Sequence, residues 1–564
     1  MILQNDDYVK RGLNEAVIQN NLLLIHDKAQ WFYKKWPGLT AVDGATDPLE
    51  SRVTNHLRAT KDLYREDYER GNSPYPCGIS FANYKEDDYA FQDDIMAVFS
   101  KMPKCGLLHV HSAAALSVEG LLDLLQEWNG QEIYIVTRGS QMGKMTYQAP
   151  AAGNPGNVVE LQQFLQFPNR RNALKRWLTV GRHTDHALYI WDEFNQIFMR
   201  TAELFTNRDF YVEYHRRFFL ECLWDRIDYV ELRCGFEEFK LKEKEVKHDE
   251  ILGQTPDFLD ALMEAKNAAV EEYNQQTGKE VWKLPYGDLE LGVILCARRD
   301  LDAESEQDRI KLMKKIDTAI AWKLGEYKNF IRGFDFVSEE DRGRASYSYY
   351  KNIFYGEVMT GYPEGSDAAG VFDQIREEKK LDGALRSELI ELMLHAGESL
   401  WIEQENIIDA KIACRSRMGH GFQLLEYPGA LMCYQAGAYD VSLKAPVLEV
   451  CPISNQMLRY FPDIRNHYAL ILMKMGVPCV LANDDPQILG NPGLSYDFWE
   501  MYMASDGGLM MVKGLVFTAF IFQYQYRKNL TLDLWTEVDY NNCLNEFKEL
   551  YWKPFITEVF ENLF

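Results

Sequence analysis

With 564 residues, 46% hydrophobic and 26% charged, the chain has ample material for a large core and lacks the composition of a disordered polymer. Its formal net charge of -24 argues against an extended basic groove for nucleic acid and against binding to anionic membrane surfaces. A small, neutral substrate is the expected partner.

Residues 1 to about 100 place charged and aromatic residues at helical spacing, as in "RVTNHLRATKDLYREDYER", and contain no apolar β-run. They predict a helical N-terminal extension, whose role is either to shield the following domain or to form a homodimer contact. The opening "MILQNDDYVK" carries acids where an export signal carries bases, so a cytoplasmic chain is expected, with a processed, secreted form as the alternative. The ten cysteines occur without a C-x-x-C pair, several in apolar runs, and read as buried free thiols. "LMMVKGLVFTAFIF" is interrupted by Lys513 and falls short of the roughly 20 apolar residues of a membrane span, so it predicts a buried helix.

From residue 107, short apolar runs alternate with segments of helical periodicity: "GLLHVH", "IDYVELRCG", "LELGVILCARRD", "IRGFDFVSEED", "ELMLHAGES", "RMGHGF", "PVLEVCPIS" and "GVPCVLANDDP". Eight near-continuous apolar strands, each followed by a helix, predict an α/β fold, a (β/α)₈ TIM barrel occupying residues 101–564. The Gly-, Pro- and Asn-rich stretch at about 129–185 predicts an insertion after the first βα unit.

Polar residues gather at the C-terminal ends of these runs, where barrel enzymes place their active sites. His109 and His111 fall on one face of the first strand, because strand side chains alternate. Such a pair is either hydrogen-bonded in the core or holds a metal. The fifth run ends in "HAGE" (His395 to Glu398), the sixth in "GHG" (His420), the eighth in "NDDP" (Asp484 and Asp485). Each alone reads as an ordinary polar turn. Together, three histidines and an aspartate at strand ends of one face suit a divalent ion such as zinc with an open position for water. "HTDH" (His183 to His186) and the aromatic run "YYKNIFY" read as hydrogen-bonded and core residues, and "KEKEVKHDE" as a solvated face.

"MPKCGLLHVH", "LHAGES", "MGHGF", "LEVCPISN" and "ANDDPQILG" resemble, in order, the motifs of the metal-dependent adenosine deaminases, most closely the adenosine deaminase growth factor branch. The resemblance spans about residues 101–500. It implies one Zn²⁺ per chain held by His109, His111, His395 and Asp484, with Glu398 as proton donor, His420 orienting or deprotonating the attacking water, and Asp485 contacting the purine. The implied reaction converts adenosine, or a related 6-aminopurine nucleoside, to the 6-oxopurine and ammonia. The chain departs from the family at two places. Ala113 stands where the family has an aspartate associated with ribose, and Ser338 stands where it has a glycine whose backbone approaches the purine. These leave the deamination chemistry intact and open the identity of the N9 substituent. Another metal hydrolase of the same fold, or a growth-factor-like binding protein with a vestigial site, are the alternative functions.

Overall fold

The computed structural model describes residues 47–72, 94–138, 141–148, 158–181, 183–185, 189–237, 239, 256–276, 281–302, 304–343, 353–362, 367–400, 406–436, 446–529 and 537–563. In chain order the strands among these are β1 (Cys105–His111), β2 (Tyr134–Arg138), β3 (Gln141–Thr146), β4 (Val158–Glu160), β5 (Ile227–Cys234), β6 (Glu290–Arg298), β7 (Ile331–Val337), β8 (Glu391–Leu392), β9 (His395–Ala396), β10 (Arg417–His420), β11 (Val447–Val450) and β12 (Cys479–Leu481). One parallel sheet runs in the order β1-β5-β6-β7-β8, and a second in the order β12-β11-β10-β9.

The two sheets meet at both edges. β8 and β9 are segments of one extended stretch, in which the Met393 N–H donates to the Phe334 carbonyl (3.0 Å) while the Gly419 N–H donates to the Leu394 carbonyl (2.8 Å). At the other edge the His111 N–H donates to the Asp484 carbonyl (2.9 Å) and the Asp484 N–H to the His109 carbonyl (3.1 Å). All eight apolar runs of the sequence form strands of these sheets.

The strands are buried on both faces because helices cover them, and so their sequences run apolar instead of alternating. Every residue of β5 is buried. The covering helices carry their own start signals. Asn207 caps Arg208–Trp224 by accepting the Phe210 N–H (3.1 Å), and Ser117 caps Val118–Glu127 through the Gly120 N–H (3.0 Å). The latter helix buries Leu121, Leu122, Leu124 and Leu125, each worth about 1.5–3 kcal/mol of apolar burial.

Between β1 and β5 lies a three-stranded antiparallel sheet in the order β3-β2-β4. Gly143 lets its two strands approach, since a Cβ there would sit 2.8 Å from the Val136 carbonyl oxygen. At the N-terminal side the helix Pro48–Glu69 buries Val53 and Leu57 and packs on the C-terminal helix Lys553–Leu563. Its Glu50 pairs with Lys513 (2.9 Å), the lysine that interrupts the apolar run, and that run forms the buried helix Gly508–Lys528. Among the described residues no helix is long and apolar enough to cross a membrane, and the described cysteines are free and buried. Ile353 and Phe354 of the aromatic run are core residues. Its earlier part and "KEKEVKHDE" lie outside the described residues.

Candidate active site

The C-terminal ends of β1, β9 and β10, and the turn after β12, bring the histidines and aspartates of the sequence motifs together. His109 is fully buried, and the His111 ring lies beside it with centroids 5.5 Å apart. His395 Nε2 is 3.2 Å from His111 Nε2. Asp484 Oδ1 is 3.3 Å from both His109 Nε2 and His111 Nε2. His420 completes the group, its ring centroid 4.9 Å from that of His109 and its Nε2 3.4 Å from Glu398 Oε2. The potential ligand atoms form two overlapping sets, His109–His395–His420–Asp484 and His111–Asp484–Asp485, each spanning no more than 4.8 Å.

Two neighbouring carboxylates set the protonation of this cluster. His395 Nδ1 lies 2.6 Å from Asp335 Oδ2, and the His395 backbone N–H donates to Asp335 Oδ1 (2.9 Å). His109 Nδ1 lies 3.0 Å from Glu449 Oε2. A carboxylate at Nδ1 fixes the proton there and turns the lone pair of Nε2 inward. Burial disfavours the charged form of three of the rings, taking His395 down to about 3 and His111 and His420 below the ordinary imidazole range. Inward-facing lone pairs, with His109 Nε2, His420 Nε2, Glu398 Oε1 and Asp485 Oδ1 all buried without a hydrogen-bond partner among the described residues, leave a deficit of positive charge at the centre. A divalent cation answers it, and an imidazole-carboxylate donor set fits zinc.

The carboxyls differ in state. Burial opposes ionisation of Asp484, but the adjacent His109 and His111 rings, each with Nε2 3.3 Å from Oδ1, hold it well below the ordinary carboxylate range. Burial pushes Glu398 well above that range, reinforced by the charges of Asp484 and Glu340. Burial and the adjacent Asp484 push Asp485 up as well.

Unusual backbone conformations position these side chains. Gly397 at φ 69° turns the chain between His395 and Glu398, and a Cβ there would meet Ile407 Cδ1 at 2.8 Å. His420 (φ 57°), Asp484 (φ 61°) and Ser338 (φ 100°) adopt positive φ without being glycine. Non-glycine residues hold such angles only where the surroundings enforce them, at a cost of about 1–3 kcal/mol each.

A second layer of residues was not singled out from the sequence. Arg233 donates to Asp335 (2.8 Å) and to Glu449 (2.6 Å), and Arg417 donates to Glu449 (2.7 Å) and pairs with Glu231. Glu340 accepts the backbone N–H groups of Gly397 (3.0 Å) and Glu398 (2.6 Å), orienting the acid, while Ser454 Oγ donates to Asp484 Oδ2 (2.7 Å). The available signal was a charge inside an apolar strand, as in "VLEV" and "FDFV".

A cavity of about 440 Å³ stands over the cluster, with His111, His395, Glu398, Asp484 and Asp485 at its base. Ala113 and Ser338, the two departures, both line it, as do Glu237 and the aromatic rings of Trp191, Phe194 and Phe198. The nine residues singled out for the site from the sequence therefore lie in or beside one cavity. His183 of "HTDH" is hydrogen-bonded to the carbonyls of Arg176 (2.9 Å) and Thr179 (3.0 Å). His186 lies outside the described residues.

No protein-family profile matches the chain. It is 25% identical over 508 residues to an adenosine deaminase 2 of Sus scrofa, covering 86% of this chain and 88% of that one. It is 24% identical over 526 residues to an adenosine deaminase 2 of Dictyostelium discoideum, covering 90% and 85%. Among solved structures, an adenine deaminase of Arthrobacter aurescens aligns with a TM-score of 0.44 at 14% identity, over 80% of this chain and 99% of that one. The chain is thus a distant homologue of the adenosine deaminase 2 proteins, the branch its motifs resemble.

Proposed function

We propose that the chain is a zinc-dependent purine aminohydrolase that converts adenosine, or a related 6-aminopurine nucleoside, to the 6-oxopurine and ammonia. The observation that carries this reading is a buried carboxyl, Glu398, held toward its acid form beside a cluster of imidazole lone pairs and a carboxylate at the base of one cavity. The names of the homologues support the same class of reaction.

His109, His111, His395 and Asp484 would hold one zinc ion per chain, and the bound ion supplies Lewis acidity that makes hydroxide available at neutral pH. Asp335 and Glu449 keep two of these imidazoles aimed inward. His420, without a hydrogen-bond partner at Nε2, orients the attacking water and takes its proton. Attack at C6 moves an electron pair onto N1, where Glu398 delivers its proton. The C6 amine then takes up the proton held by His420, the C–N bond breaks as the C6 hydroxyl returns its proton to Glu398, and ammonia leaves with the 6-oxopurine formed. Asp485, held in its acid form, donates a hydrogen bond to the purine and fixes the ring over the cluster. The aromatic wall of Trp191, Phe194 and Phe198 supplies apolar contact to the base. With Ala113 in place of an acid, the sugar contact falls to Glu237, the remaining carboxyl on the cavity wall.

The architecture around the site follows from the same reading. The hydrogen bonds at both sheet edges support closure into one (β/α)₈ barrel within residues 101–564, the antiparallel sheet belonging to the insertion at about 129–185. The extension, about residues 1–100, either shields the barrel or forms a homodimer contact; sedimentation of a chain lacking residues 1–85 at the full-length rate would contradict the second role.

The test of function is to supply metal-loaded protein with adenosine and a panel of 6-aminopurines and to measure 6-oxopurine and ammonia. Stoichiometric release from at least one of them supports the proposal. Silence on all would favour a hydrolase of another substrate or a binding protein.

A further inference from the structure

The opposite end of the same strands holds a second cavity, of about 360 Å³. It opens at the N-terminal ends of β5, β7, β8 and β10, away from the histidine cluster, and its wall is cationic in a chain whose net charge is -24. Five basic residues line it, Lys323, Lys328, Arg332, Arg415 and Arg417, against two acids, Glu231 and Glu391.

The acids are already engaged. Glu231 takes Arg417 and the Tyr229 hydroxyl, and Glu391 accepts the backbone N–H of Ser416 (2.9 Å) and its hydroxyl. Lys323 donates to the Arg332 carbonyl (3.4 Å), Arg415 to the Ser387 carbonyl (2.8 Å), and Arg332 lies 3.7 Å over the Tyr526 ring. Among the described residues, none of these three, nor Lys328, has a carboxylate ion-pair partner. Among the described residues, buried nitrogens on the wall also lack a hydrogen-bond partner: Nε of Arg332, and Nε of Arg417, a residue only 1% exposed. Burial, and then the nearby charges of Arg332 and Arg415, lower the Lys323 pKa against the pull of Glu391.

Like charges held together around a cavity, partly out of water, raise the energy of the empty site and are relieved by an anion. Lysines and arginines converging from several strands and a helix suit the oxygens of a phosphate group, which accept from many directions at once. The cavity lies at the lower end of the range for small-molecule sites and is too large for bare phosphate to fill. The aromatic floor of Tyr229, Phe522 and Tyr526 suits the less polar remainder of such a molecule. We infer that this cavity is a second ligand site, one that binds a small phosphate monoester at the N-terminal ends of the strands.

Ribose 5-phosphate, which has no purine to direct it to the histidine cluster, is the probe, with ribose as the uncharged control, in calorimetric titrations of the full metal-loaded chain. The expected result is saturable binding of one ribose 5-phosphate, no binding of ribose, and affinity about tenfold or more weaker in Lys328→Glu and in Arg332→Gln, with Glu398→Gln as tight as the parent. Lys328 is exposed, so its replacement leaves the core untouched; circular dichroism confirms the fold of both variants. Absence of saturable heat, equal binding of ribose, unchanged affinity in both cavity variants, or loss of binding in Glu398→Gln would each overturn the assignment.

Discussion

The two ends of the parallel strands have opposite electrical character. At the C-terminal ends of β1, β9 and β10 and in the turn after β12, neutral imidazoles and carboxyls converge and lack positive charge; at the N-terminal ends of β5, β7, β8 and β10, lysines and arginines converge and lack negative charge. β10 spans the difference within four residues, from Arg417 to His420. Between the two ends, Arg233 and Arg417 are neutralised against Asp335, Glu449 and Glu231. A buried ion-pair layer of this kind adds little net stability, because desolvation offsets attraction. Its use here is positional: the same carboxylates that pair with arginines orient the histidines above them.

The comparison breaks most completely if the upper end loses the carboxylate of Asp484, held well below the ordinary carboxylate range. Asp484→Ala is expected to abolish both turnover and metal retention, measured by elemental analysis after gel filtration; a metal-loaded, active variant would remove Asp484 as a ligand. Glu398→Gln separates charge from chemistry, retaining metal and fold while losing roughly 10²- to 10⁴-fold in kcat. Near-normal kcat in that variant would remove the proton-donor role. The middle layer is tested by Glu449→Gln, which keeps shape but weakens the hold on His109, with an expected loss of about 10- to 100-fold in metal affinity by chelator competition. Unaltered competition would show the pairing to be incidental. Smallest is Ser338→Gly, which relieves a positive φ and is expected to raise stability by about 1 kcal/mol in denaturant unfolding. A Ser338→Gly protein less stable than the parent would mean that the serine side chain contributes more than the strain costs.

Much of this was legible in the sequence, for identifiable reasons. Parallel strands covered on both faces must be apolar throughout, so runs such as "IDYVELRCG" stood out, and their polar ends marked the mouth. Asp335, Glu449, Arg233 and Arg417 were not legible. A pattern read for hydrophobicity treats a lone charge in a strand as an interruption, and only the closing of neighbouring strands reveals its partner. The antiparallel sheet of the insertion was also hidden, since "QMGKMT" carries little of the β-branched character by which strands are recognised. The cationic cavity escaped for a related reason: its bases come from two separate stretches, Lys323–Arg332 and Arg415–Arg417, and are unremarkable singly.

The central claim is that Glu398 acts as an acid over a metal cluster in purine deamination. Its most direct test is the conversion of adenosine and other 6-aminopurines by metal-loaded protein beside Glu398→Gln of equal metal content. Turnover of at least one by the parent, lost by at least about 100-fold in the variant, is the predicted result. Equal rates in the two proteins, or no turnover of any aminopurine by the parent, would contradict it.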